Sequence, residues 1–76
     1  MDKILIVEDS VELSDVLCRN LQEEGFAVSA VSCLAQARKN LDRGVDLCLL
    51  DLNLPDGDGF TFCSYLSENT SIPVIL

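Results

Sequence analysis

Ile4-Leu5-Ile6-Val7-Glu8-Asp9 is an unbroken apolar run, rich in β-branched residues, that stops at two acids. A half-exposed strand alternates apolar with polar residues. A continuous run of this length instead reads as a strand buried on both faces, as in a parallel sheet covered by helices. A second run has the same design: Asp46-Leu47-Cys48-Leu49-Leu50-Asp51, again apolar and again closed by an acid.

Between these runs the period changes. Leu13, Val16, Leu17 and Leu21 recur at three- and four-residue intervals, with Glu12, Asp15, Arg19 and Glu23 on the other side. The spacing predicts an amphipathic helix, with Asp9 or Ser10 as N-cap and Gly25 just past its end. Residues 26–31 read as a less buried strand, placed at an edge. Ser32 is expected to cap a second helix carrying Leu34, Ala37 and Leu41, closed by Gly44. Leu52 to Gly59 reads as a loop punctuated by Pro55, Gly57 and Gly59. A short third helix is expected from about Gly59 to Glu68, marked by Phe62, Leu66 and Tyr65 or Cys63. Residues 72–76 read as a fourth strand, with Pro73 near its start, where a missing N–H does least harm. Strands joined by single helices imply right-handed crossovers and a parallel sheet. The expectation is one α/β domain over residues 1–76.

Composition narrows the function. Hydrophobic residues make up 49% of the 76, too many for a disordered chain. The net charge of -8 has the wrong sign for binding nucleic acid or an anionic membrane surface. No apolar run approaches the ~18–20 residues of a membrane span. The N-terminus lacks signal-peptide architecture, so the cytoplasm is the expected location. Histidine is absent, which removes imidazole catalysis and the commonest transition-metal ligand. Cys18, Cys33, Cys48 and Cys63 have no zinc or redox spacing and are expected to be free thiols. Chemistry must come from carboxylates.

In open parallel sheets, ligands sit beyond the carboxyl ends of the strands. If the first and third strands are neighbours, Glu8, Asp9 and Asp51 converge there. Like charges at such spacing oppose full ionisation. A divalent cation would offset them, and an all-oxygen donor set suits Mg²⁺. The plainer reading makes Asp9 an N-cap, Asp51 a strand end, and Asp56 and Asp58 ordinary turn residues. It is preferred for Asp56 and Asp58 only.

Three pieces in order, Ile4 to Asp9, Leu49 to Phe60 (LLDLNLPDGDGF) and Ile72-Pro73-Val74-Ile75, resemble the receiver domain of bacterial two-component response regulators. The resemblance implies a flavodoxin-like fold with sheet order 2-1-3-4, making the first and third strands neighbours. It implies that Asp51 is the phospho-acceptor and that a histidine kinase is the donor. It also implies that Mg²⁺ is held by Glu8, Asp9, Asp51 and the main-chain carbonyl of Asn53. Such a domain is a signalling acceptor that assists its own phosphorylation rather than an enzyme. The stretch from Asp51 to Phe60 is similar to receivers joined to winged-helix DNA-binding domains, which implies transcription control through an effector domain absent from these residues.

The family pattern continues with a Thr or Ser after the fourth strand and a fifth strand ending in Lys. The two lysines, Lys3 and Lys39, suit neither role. The expectation is a receiver incomplete at its C-terminus, lacking the fifth strand and last helices. Its sheet edge and apolar face would then be bare and prone to self-association. Other readings fit less well. A haloacid-dehalogenase-type phosphatase needs an acid where Asn53 stands. A calcium loop counted from Asp51 puts Pro55 and Asp56 at its fifth and sixth positions. No glycine-rich nucleotide loop opens any helix. A structural dimerisation module without phosphotransfer is the remaining alternative.

Overall fold

Strand β1 (Lys3–Val7) lies inside a four-stranded parallel sheet because its side chains are apolar on both faces. The computed structural model describes residues 2–41 and 44–76. β1 pairs with β2 (Ala27–Val31) on one side and β3 (Leu47–Leu50) on the other, and β6 (Val74–Ile75) follows β3. The order β2-β1-β3-β6 is the expected 2-1-3-4 arrangement, with β6 as the fourth long-range strand. From Ile4 to Val7 no residue is more than 3% exposed. β2, the edge strand, is only half buried, as its alternating sequence predicts.

The helices end where their chemistry ends them. In α1 (Val11–Glu23) the Ser10 hydroxyl accepts from Leu13 N–H at 3.3 Å. At the other end Gly25 takes φ +94°, and two bonds run back, Gly25 N–H to Gln22 O and Phe26 N–H to Leu21 O. This is a Schellman cap, and it turns the chain into β2. Helix α2 (Leu34–Asn40) starts later than expected, with Cys33 as its N-cap. Ser32 does not cap it: its N–H and hydroxyl both donate to the Gln36 side chain. Gly44, at φ +74°, takes the left-handed backbone expected of a helix stop, although Asp42 and Arg43 before it lie outside the described residues.

The stretch expected to be a plain loop carries a small antiparallel hairpin, β4 (Asn53–Leu54) with β5 (Gly57–Asp58). Asp58 then caps α3 (Gly59–Asn69), accepting from Phe60 N–H at 2.9 Å. The fourth strand is shorter than residues 72–76 suggest. Only Val74 and Ile75 pair with β3, and Pro73 contributes its carbonyl to Cys48 N–H at 3.0 Å.

The main core lies on one face of the sheet. Leu5, Val7, Cys48 and Leu50 point into it, and α2 and α3 close it with Leu34, Ala37, Phe62 and Leu66. The opposite face is covered by α1, whose Leu13 and Val16 are each 48% exposed. Cys18, Cys33, Cys48 and Cys63 are free thiols. Phe62 is wholly buried, whereas Phe60, two residues earlier, lies on the surface. Phe62→Ala is therefore expected to lower unfolding stability by about 3–5 kcal/mol. Phe60→Ala should change it by roughly 0.5 kcal/mol or less, both read from urea unfolding.

Candidate functional site

The sheet register places the acids. Val7 pairs with Leu50, so the next residue of each strand, Glu8 and Asp51, emerges at the same rim. The Asp51 N–H donates to Val7 O at 2.9 Å, and the Glu8 N–H donates to Val31 O at 3.0 Å. Ser10, not Asp9, caps α1, which leaves the Asp9 carboxylate available. Glu8, Asp9 and Asp51 each offer a carboxylate oxygen within 4.8 Å of the others. The convergence inferred from the two strand tips is present.

Asn53 stands at the same mouth. With Glu8 and Asp51 it lines a groove of about 450 Å³ that runs on between α1 and the sheet, past Leu13, Leu17, Leu49 and Ile75. Its N–H donates to Oδ1 of Asp51 at 3.1 Å, which orients the acid. Gly59 makes room from behind. A Cβ there would lie 2.7 Å from the Asp51 carbonyl oxygen and 2.7 Å from Leu52 Cα, so a side chain at 59 would push the backbone of Asp51 itself.

The three acids do not ionise alike. Burial raises the Glu8 carboxyl to about 7, helped by its hydrogen bond to Asp51 and by the negative charges of Asp51 and Asp9. Asp51 moves the other way, held below its ordinary value by that bond from Glu8 and by the Asn53 N–H. Glu8 thus holds a proton more readily than an ordinary carboxyl, and Asp51 less readily. This is a site short of positive charge. Its donors are all hard oxygens, a set that fits Mg²⁺ and disfavours softer metals.

Two acids read as ordinary turn residues do more than that. Asp58 caps α3, and both carboxylate oxygens of Asp56 bind backbone N–H groups at the start of α2, at 2.8 and 3.0 Å. These bonds hold the Asp56 carboxyl below its usual range. The one hint in the sequence is Cys33, a poor capping residue, at the N-cap of α2.

The Glu8 shift sets a pH dependence. The folded chain binds this proton more tightly than the unfolded chain does, so its stabilising effect is complete below about pH 4.5 and is lost as pH rises through about 7. In cation-free buffer, unfolding stability is expected to fall across that window. Glu8→Gln should flatten the slope, and millimolar Mg²⁺ should reverse it by replacing the proton. Urea titrations at stepped pH measure all three.

Comparison with known proteins agrees with this geometry. Residues 4–76 match the response regulator receiver domain family. The chain is 43% identical over 75 residues to the swarming motility regulation protein RssB of Serratia marcescens, covering 96% of this chain and 34% of that protein. It therefore spans about a third of the length of the curated relatives it matches. Among solved structures, the MaeR response regulator bound to beryllium trifluoride superposes with a TM-score of 0.93 at 35% identity, over 100% of this chain and 66% of that one. A complex of histidine kinase ThkA with response regulator protein TrrA gives 0.92 at 28% identity, over 100% and 67%. With its β2-β1-β3-β6 sheet and its acids gathered at the rim, the chain belongs to the response regulator receiver family.

Proposed function

We propose that Asp51 accepts a phosphoryl group from a phosphohistidine on a sensor histidine kinase, with Mg²⁺ held at the same rim. The observation that carries this is the meeting of Glu8, Asp9 and Asp51 within 4.8 Å at the carboxyl edge of the sheet. The kinase in the ThkA–TrrA complex and the beryllium trifluoride on MaeR support it by likeness.

The chain's own groups suit the reaction. Asp51 is the more readily ionised member of its pair, and the Asn53 N–H on Oδ1 orients its carboxylate. Attack forms an O–P bond as the P–N bond to the donor imidazole breaks, and the electron pair of that bond leaves with the imidazole nitrogen. Glu8, Asp9, Asp51 and the Asn53 main-chain carbonyl would hold the cation. Bound Mg²⁺ would neutralise charge on the phosphoryl oxygens and draw donor and acceptor together. The domain acts as a signalling acceptor, taking one phosphoryl group per event, and not as a turnover enzyme.

The rest of the assignment follows the family. The parent protein is a cytoplasmic regulator of transcription whose DNA contacts lie outside these residues, since an acidic surface with net charge -8 repels DNA. Among the described residues no helix is long and apolar enough to cross a membrane.

A structural role in self-association is the second reading, and it has its own observation. Val11, Leu13, Val16, Ile75 and Leu76 are 48–69% exposed, and β6 is the last strand of the sheet among the described residues. We propose that the 76-residue chain pairs with a second copy over this face. Sedimentation at micromolar concentration should report a dimer, and Leu13→Glu should return it to monomer; a monodisperse wild-type monomer would remove this reading.

For phosphoryl acceptance the measurement is intact mass after incubation with phosphoramidate and Mg²⁺. One phosphoryl group should add to the native chain and none to Asp51→Asn. No gain on the native chain, or an undiminished gain on the variant, would leave only the structural reading.

A further inference from the structure

Helix α2 is capped from a distance. Its N-cap residue Cys33 makes no side-chain bond to the helix. The open donors, Leu34 N–H and Ala35 N–H, are taken by the two oxygens of Asp56, 22 and 21 residues along the chain. Asp56 lies in the turn of the β4–β5 hairpin, between the paired residues Leu54 and Gly57. The turn packs closely on the helix: a Cβ at Gly57 would lie 2.7 Å from the Leu34 side-chain end, Cδ1. At the hairpin's other end, Asn53 donates to Asp51. A single two-stranded unit thus joins the acceptor carboxylate to the start of α2.

Open N–H groups explain why an acid is useful there. They do not explain why it comes from the hairpin, because Ser or Asp at position 33 would cap the helix locally. What a remote cap adds is restraint on the element that supplies it. We propose that Asp56 is a positioning residue, whose bonds to the start of α2 latch the β4–β5 hairpin and so hold the Asn53 backbone at the Asp51 site. Its consequence for cation binding rests on the function proposed above; the latch itself does not.

Two variants of the full chain separate latching from capping: Asp56→Ala, and Asp56→Ala combined with Cys33→Ser. The second restores a local cap but not the link to the hairpin. Asp56→Ala should lower the thermal midpoint, and Cys33→Ser should recover most of that loss. Amide exchange at Asn53 should be about fivefold or more faster in both variants, and Mg²⁺ affinity by calorimetry weaker by about the same factor, in line with the loss of one capping interaction. If Cys33→Ser returns exchange and affinity along with the midpoint, Asp56 is a helix cap and the proposal fails. It also fails if Asn53 exchanges equally fast in wild type and variants. If the wild type binds no Mg²⁺, the functional reading falls, and the exchange data still decide the latch.

Discussion

The parallel pairing of β1 with β3, Val7 opposite Leu50, is the constraint on which the site depends. Backbone bonds set that register, among them Asp51 N–H to Val7 O, and apolar side chains on both faces reinforce it. A slip by one residue would send every side chain of the strand to the opposite face. The sheet can therefore hold carboxylates together against their mutual repulsion. The repulsion is eased locally because Glu8 takes up a proton more readily than an ordinary carboxyl, while Asp51 ionises more readily. A preformed, charge-deficient pocket follows from strand pairing before any ligand is considered.

That division of charge suits the proposed chemistry. A nucleophilic carboxylate must be ionised, and Asp51 is held so by donors from two sides, Glu8 and the Asn53 N–H. The raised proton affinity of Glu8 marks where positive charge is wanted. A cation that displaced a proton there would leave Asp51 oriented, since the Asn53 bond comes from the backbone and does not titrate.

What could be read from sequence was whatever rests on local periodicity or on strand ends. Ile4 to Val7 is apolar without a break and forms the central strand; of Leu13, Val16, Leu17 and Leu21, which recur at helical spacing, Leu17 and Leu21 are half-buried while Leu13 and Val16 stay 48% exposed. Glu8, Asp9 and Asp51 were legible because an acid ending a buried strand must emerge at the rim. The sheet order was carried over from the family resemblance, and the geometry agrees with it. Long-range capping was not legible. Asp56 in a Pro-Asp-Gly turn looks like a turn former, and its partners are about twenty residues away. Ser32 looked like the better cap for α2, but its hydroxyl and N–H are both taken by Gln36. The hairpin of Asn53–Leu54 with Gly57–Asp58 is too short to leave a strand pattern.

The two faces of the sheet differ, and the site lies where they meet. One face is closed by α2 and α3 around Phe62 and Leu66, both fully buried. The other is covered by α1 and keeps a groove whose apolar floor, from Leu17 to Ile75, runs straight to Glu8, Asp51 and Asn53. The hairpin that follows Asp51 meets the closed side through Leu54 in the core and Asp56 on α2. Asp51 thus has packed core behind it and the groove in front. Burying the groove would lower the local dielectric around the carboxylates and strengthen every charge interaction there. Cover on this face and the ionisation of the acids are therefore linked: a partner that packs against Leu13 and Ile75 also raises the energy of leaving Glu8 and Asp51 both ionised without a cation.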